Sequence, residues 1–118
     1  MSKRNEHWDI YEAAILLKYY IAYDLNIIDK ETMVKTVSVS LREMAVNRGQ
    51  SIDETYRNEI GISFQSLRME SAYLKTDSPF KETKLFNEIV DLYRTNINEF
   101  KSILSKAEKF ISNSNNSN

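Results

Sequence analysis

The scarcity of glycine and proline limits what this chain can fold into more than any other feature of its sequence. Only two glycines and one proline occur in 118 residues, whereas all-β folds need turn residues at short intervals. Apolar residues recur instead at spacings of three and four, the period of a helix with a buried face. We therefore predict an all-α fold, with four or five helices in one compact domain that spans residues 1–111.

The first two predicted helices have the clearest periodicity. From about His7 to Leu25 apolar residues form a stripe and also occupy other faces, so we expect helices or a partner chain on more than one side. A second helix is predicted from Lys30 to about Asn47, with Asp29 as its N-cap and Gly49 just beyond its end. Its β-branched residues would also suit a strand, but the helical spacing continues where strict alternation stops.

The stretch from Ser51 to Leu74 carries the densest set of local signals. Ser51 and Glu54 have the S-x-x-E spacing of a capping box, which predicts a short helix that ends at Gly61. Ser63 can cap a further helix that runs to the end of the stretch. We expect Gly61 to adopt a positive φ angle and to let the chain turn sharply between the two helices.

The remainder of the chain is predicted to be helical after a polar turn at residues 76–79, which contains the single proline. One long bent helix or two helices would fit the apolar pattern that follows. Asn96 and Glu99 form N-x-x-E, which favours a break near Asn96. Residues 112–118 are only serine and asparagine, a composition that predicts a disordered tail, and the polar residues before His7 are expected to be loose.

Few residues in this sequence are suited to catalysis or metal binding. With no cysteine and one histidine, disulfides, thiolate sites and a structural zinc site are not expected. No glycine-rich phosphate loop, G-x-S-x-G or H-E-x-x-H motif is present, and the carboxylates are interspersed with lysines as on solvated helix faces. We predict a protein that is not an enzyme and that uses no cofactor and no metal.

The chain is also expected to lack a membrane partner. No apolar run approaches the ~20 residues of a membrane-spanning helix, and the N-terminus lacks the apolar segment of a signal peptide. The absence of cysteine is compatible with a reducing compartment, so we predict a cytoplasmic location. A net charge of −1 weakens a simple nucleic-acid interpretation, although a local basic patch can act within a neutral chain.

Arginine is concentrated in the middle third of the chain, at Arg42, Arg48, Arg57 and Arg68. Its planar guanidinium suits bidentate contacts with phosphate or guanine better than a lysine ammonium does. Acidic residues are interleaved with these arginines. The alternative interpretation is therefore a set of surface salt bridges, each of which contributes little to stability.

Two segments resemble a known family pattern. Trp8, Glu12, Leu16 and Tyr20 resemble the Trp-x-x-x-Glu…Leu…Tyr opening of small helical modules at the front of prokaryotic HNH-type restriction endonucleases and related defence proteins. Myb-like helical domains share this opening. The run from Tyr56 to Leu67 looks like the Phe-Arg-Asn-x-x-Gly-Ile-x-x-Lys-Leu segment of those modules, preceded by a matching Leu-Arg pair at residues 41–42, so that the likeness spans roughly residues 8–90.

The resemblance implies a helical module that accompanies DNA-targeting effectors and contacts either DNA or the effector. It carries contact roles over to Arg42, Arg57, Asn58, Gln65 and Arg68. Gln65 stands where a lysine is usual, which removes a charge that would help to bind phosphate. One histidine and no cysteine cannot supply an HNH nuclease, so the chain would be a stand-alone version without the cleaving part.

The residues around Gly61 allow two physical interpretations. A helix that starts at Ser63 would offer its first-turn N–H groups to an anion, with Arg57 and Asn58 beside it and Gln65 on a face that could enter a major groove. Alternatively, Arg57 and Asn58 hold the corner together through hydrogen bonds to backbone. The candidate nucleic-acid or partner contacts are Arg42, Arg57, Asn58, Ser63, Gln65 and Arg68.

Two functions therefore fit the sequence. The first is a non-enzymatic DNA-binding or DNA-targeting accessory module of a bacterial defence system or mobile element. The alternative is a protein–protein interaction module, either a homodimer or a small regulator or inhibitor that docks on a partner enzyme. Convergence of Arg42, Arg57 and Arg68 on one face, free of acidic neighbours, would favour DNA, whereas their neutralisation would favour a protein partner.

Overall fold

The computed structural model describes residues 7–75 and 83–112, and these form five α-helices. The helices are α1 Ile10–Asp24, α2 Lys30–Asn47, α3 Glu59–Leu74, α4 Lys84–Thr95 and α5 Ile97–Ser112. The described residues include no strand and form one compact domain, which confirms the predicted all-α fold. The predicted loose N-terminus, the polar turn at 76–79 and the predicted tail lie outside the described residues, except that Ser112 ends α5.

Helix α1 occupies the centre of the domain. It packs against each of the other four helices, while α2, α3, α4 and α5 contact one another in a closed ring around it. Every residue from Glu12 to Leu17 is buried. Because consecutive helical residues are 100° apart, such a run covers the whole circumference of the helix. The expectation that α1 is flanked on more than one side is confirmed, and helices of the same chain supply the neighbours.

The first and last residues of α2 and the break between α4 and α5 are those predicted from local sequence signals. The Asp29 side chain accepts a hydrogen bond from the Thr32 backbone N–H at 2.8 Å and caps α2. After α2, Gly49 has a φ angle of 89°, which glycine adopts without steric cost. Asn96 separates α4 from α5, and its side chain accepts a hydrogen bond from the Glu99 N–H at 3.3 Å.

The predicted helix break at Gly61 is wrong. Gly61 lies within α3 and does not have a positive φ angle. Residues 51–58 form no helix, so Ser51 caps none, and Ser63 lies inside α3 and starts no helix. Asn58 is the N-cap, and its side-chain oxygen accepts a hydrogen bond from the Gly61 N–H at 2.9 Å. Both serine signals fit a cap, but the asparagine cap admits one uninterrupted helix with a longer buried face.

The C-terminal end of α5 is held by side chains from the end of α2. The Asn47 side-chain amide donates hydrogen bonds to the carbonyls of Phe110 and Ile111 at 2.8 and 2.9 Å, groups that have no partner within their own helix. Arg48 lies over the rings of Tyr11 and Phe110 and forms an ion pair with Asp9 at 3.0 Å. This corner therefore fixes the first, second and fifth helices relative to one another.

Replacement of Gly49 by alanine is expected to lower the free energy of unfolding by about 1 kcal/mol, because an alanine at this φ angle is strained. A steric clash with neighbouring residues is not the cause, since an added Cβ would meet no atom within 4 Å. Asparagine tolerates positive φ angles better, so Gly49→Asn is the matched control and should lose less stability. Urea denaturation of the three proteins measures the difference, and equal losses for both variants would contradict this role for φ.

Candidate functional site

The two segments that carry the family resemblance meet in space at a buried ion pair. Arg57 donates from Nε to Glu12 Oε2 at 2.8 Å and from Nη2 to Glu12 Oε1 at 3.1 Å. The side chains of Arg57 and Glu12 are only 8% and 6% exposed. Two parallel hydrogen bonds between a guanidinium and a carboxylate give such a pair a fixed geometry. Arg57 is thus bound within the protein and does not extend towards solvent.

Aromatic rings enclose the Arg57 guanidinium. Its central carbon lies 5.0 Å from the ring centroid of Trp8 and 4.6 Å from that of Tyr56. Rings at these distances attract a cation through their negatively polarised faces, more so where water is excluded. Trp8 in turn packs edge-on against the buried Phe86 of α4, with centroids 5.7 Å apart. The ion pair is therefore part of a packed cluster that connects α1, the turn before α3, and α4.

The turn that presents Arg57 is built from local hydrogen bonds. Asp53 accepts bonds at one carboxylate oxygen from the Thr55 N–H, the Thr55 hydroxyl and the Tyr56 N–H, at 3.0 to 3.1 Å. These bonds, with that of the Thr55 hydroxyl foremost, hold the pKa of Asp53 below its usual value of 3.8. Arg57 itself has a φ angle of 48°, a conformation that costs energy for a residue with a side chain.

Helix α2 fastens this turn from the other side. The Ser38 hydroxyl donates to the Arg57 carbonyl at 2.7 Å. Arg42 donates from Nη1 to the carbonyls of Tyr56 at 2.5 Å and Asp53 at 3.1 Å. Both side chains compensate for backbone groups that the irregular turn leaves without helical partners. Arg42 therefore stabilises the loop conformation instead of facing an outside ligand.

The structure divides the six predicted contact residues into two groups. Arg42, Arg57 and Asn58 form internal bonds. Asn58 bonds to the backbone, as the alternative interpretation expects, whereas Arg57 chiefly pairs with the Glu12 side chain. The other three lie on α3: the Ser63 carbonyl accepts the Ser66 hydroxyl at 2.7 Å, Gln65 lines a cleft, and Arg68 is half-buried. Arg42 and Arg57 are thus held by groups within the chain, and the three arginines do not form a joint exposed basic face.

A cleft of about 460 Å³ lies beside the ion pair and is here called the Trp8 cleft. Trp8 and Arg57 border it on one side, Gln65 and Ile62 of α3 on another, and Phe86 of α4 on a third. The remaining described lining residues are His7, Thr55, Asn58, Gly61, Thr83 and Leu85. Its volume falls within the range of about 300–1,000 Å³ that is typical of small-ligand sites.

A second depression of about 460 Å³ runs between the N-terminal ends of α2 and α3, and is here called the α2–α3 groove. Val34 and Ile60 form its apolar part, and Ile60 is 69% exposed. The other described lining residues are Lys30, Glu31, Glu59 and Ser63. Protein-binding surfaces likewise combine apolar and polar side chains.

Two kinds of site have no counterpart in the described residues. Among residues 7–75 and 83–112, no group of three or more His, Asp or Glu side chains is placed so that it could hold a metal ion. Within the same ranges, no helix has the length and apolar character that crossing a membrane requires.

Glu12 is the residue of this site whose role was not predicted from the sequence. Its spacing from Asp9 is that of a capping box, and the structure contains both reciprocal bonds, at 2.9 and 3.0 Å. The D-x-x-E pattern could have located the start of α1 at Ile10, three residues after the predicted start. Nothing local in the sequence shows that the same carboxylate also binds Arg57, 45 residues further along the chain.

Comparisons with protein-family models, with curated proteins and with solved structures found no match for this chain. The likeness to the helical modules of HNH-type restriction endonucleases therefore stays a prediction from sequence. What the site can bind has to be inferred from its own side chains.

Replacement of Arg57 by alanine should lower the free energy of unfolding by about 3 kcal/mol or more, because it leaves the Glu12 charge buried without a partner. Arg68→Ala is the control: that guanidinium has no ion pair among the described residues, so its loss should cost less than about 1 kcal/mol. Thermal or urea denaturation measures both. The double variant Glu12→Gln/Arg57→Met should lose less stability than the summed losses of the single variants Glu12→Gln and Arg57→Met. Strict additivity would contradict the coupling of the two side chains.

Replacement of Thr55 by valine should raise the pKa of Asp53 towards 3.8, because the largest cause of its lowering is removed. A carboxylate whose pKa is lower in the folded state stabilises the fold above its unfolded-state pKa, and this contribution disappears as the pH falls through the folded-state pKa. NMR titration of the carboxyl carbons measures the shift. Asp29 offers an internal control, since its lowered pKa depends on Thr32 and should not change.

Proposed function

We propose that this chain is a non-enzymatic helical module that binds a protein partner through the α2–α3 groove. The observation that carries the proposal is the exposure of Ile60 in a depression that charged side chains also line. A side chain of this kind can supply the few strongly contributing contacts on which most protein interfaces depend. Ile27, which is also 69% exposed, precedes the α2 residues that border the groove and adds apolar surface at that end of the domain.

The positions of the arginines also favour a protein partner. A duplex DNA partner needs several cations that can reach phosphates. Arg57 is neutralised by Glu12, and Arg42 is bonded to loop carbonyls, so neither is free for that role. The resemblance to modules of DNA-targeting effectors makes such an effector the first class of partner to test.

DNA binding is the second candidate because one arginine of α3 remains uncommitted. Arg68 forms no hydrogen bond or ion pair with the residues of ranges 7–75 and 83–112. With Gln65 on the same helix, it could contact a phosphate and a base edge. This second function requires cations beyond Arg68, since a single contact gives little affinity.

Replacement of Ile60 by aspartate is expected to weaken partner binding at least tenfold without a change in melting temperature, because the side chain is exposed in the free protein. Val39→Asp is the matched control, since Val39 is 62% exposed on α2 but does not line the α2–α3 groove. A tagged protein and both variants are purified from the native host, co-purifying proteins are quantified, and affinity is then measured with the purified partner.

Two results would contradict the proposal. One is a partner that Ile60→Asp and Val39→Asp retain equally. The other is the absence of any partner together with salt-sensitive binding to duplex DNA that Arg68→Ala weakens, which would establish the second function instead. If the partner is a second copy of this chain, sedimentation should show a dimer for the unchanged protein and for Val39→Asp. Ile60→Asp should then sediment as a monomer.

A further inference from the structure

The Trp8 cleft is separate from the α2–α3 groove and has a different chemistry. Helix α3 contributes Gly61, Ile62 and Gln65 to the cleft but Glu59, Ile60 and Ser63 to the groove. The cleft combines aromatic and aliphatic walls with side-chain amides and hydroxyls. Such a mixture of apolar surface and a few polar groups is typical of small-ligand sites.

The described lining of the cleft carries almost no net charge. Of the described residues that line it, Arg57 alone carries a permanent charge, and that charge is balanced by the carboxylate of Glu12. The bidentate bonds to Glu12 engage Nε and Nη2 of this guanidinium. Among the described lining residues, a phosphate or carboxylate would therefore meet no uncompensated cation, which suits an uncharged ligand.

Two side-chain amides line the cleft near the start of α3. Asn58 is the N-cap of α3, Gln65 lies within the helix, and both border the cavity. The Asn58 oxygen accepts the Gly61 N–H, which leaves its amide N–H groups as donors. Gln65 has no hydrogen-bond partner among the described residues and offers both a donor and an acceptor.

The aromatic wall complements these amides. The Trp8 indole is partly buried against Phe86 and Arg57, and it borders the same cavity. A flat ring can stack on or beside an indole with a gain of about 1–3 kcal/mol. Asparagine and glutamine amides pair with the edge of adenine through one donor and one acceptor. The combination therefore selects a planar heteroaromatic ring with hydrogen-bonding groups along its edge.

We propose that the Trp8 cleft binds an uncharged purine base, with the ring against Trp8 and its polar edge towards Asn58 and Gln65. This site goes beyond the proposed protein-binding function, since it uses a different surface. A free nucleoside and an unstacked base of a single strand present the same chemistry to the cleft. The hydroxyls of Thr55 and Thr83 at the described cleft border would contact the sugar in either case.

The single tryptophan of the chain allows a direct test. Adenosine is titrated into the full-length protein while the indole N–H signal in a proton–nitrogen NMR spectrum and the tryptophan fluorescence are recorded. A short oligodeoxyadenylate is titrated in parallel. We expect a saturable change in both signals, weakened about tenfold in Gln65→Ala, which removes the amide that reads the base edge.

Gln50→Ala is the matched control, because Gln50 is the other glutamine of the chain and lies in the exposed turn after α2. It should bind as the unchanged protein does, and circular dichroism should show both variants folded. A response to adenosine that depends on Gln65 supports the proposal with a free nucleoside as ligand. A Gln65-dependent response to the oligonucleotide alone supports it with a strand base as ligand.

Two outcomes would overturn the proposal. One is no saturable change with either probe in the folded protein. The other is a change of equal size in Gln65→Ala and Gln50→Ala, which would place any binding elsewhere. Because Ile60→Asp does not alter the cleft, partner binding and purine binding can fail independently, and each result tests one site.

Discussion

Burial of α1 on all sides is the constraint on which the rest of the structure depends. A helix that is apolar around its whole circumference cannot lie on a surface, so other helices must enclose it. The closed ring from α2 to α5 satisfies this requirement. The amphipathic α4 and α5 each supply only one apolar face, with Phe86 and Phe100 directed inward. The central position of α1 also brings its N-terminal end next to the turn that precedes α3.

The Arg57–Glu12 pair follows from that arrangement. Glu12 completes the capping box at the start of α1 and is buried together with its neighbours. An unpaired carboxylate would be costly at this position. Arg57 compensates for it, and the turn that carries Arg57 is fixed by Asp53, Ser38 and Arg42. A buried pair of this kind contributes little net stability, but its loss on one side is expensive. Its main effect is to specify one position of the turn relative to α1.

The functional consequence is that Arg42 and Arg57 are bound within the fold and stabilise it. They hold the turn that precedes α3. The α2–α3 groove lies on one side of α3, and the Trp8 cleft lies on the other. The groove presents an exposed apolar side chain, Ile60, and the cleft presents amides beside an indole. A rigid corner beneath both surfaces suits binding, because little conformational freedom would be lost when a ligand or partner arrives.

The sequence by itself determined the helical class and most helix ends, since caps act over three or four residues and can be read locally, as at Asp29, Gly49 and Asn96. It misplaced the start of α3, because serine and asparagine caps compete on similar local terms. Only the tertiary structure decided the role of Arg57. Its partner lies 45 residues away, and a guanidinium in a sequence looks the same whether it will meet a phosphate or a buried carboxylate. Burial and partners are properties of the packed chain, so they follow from which helices surround α1.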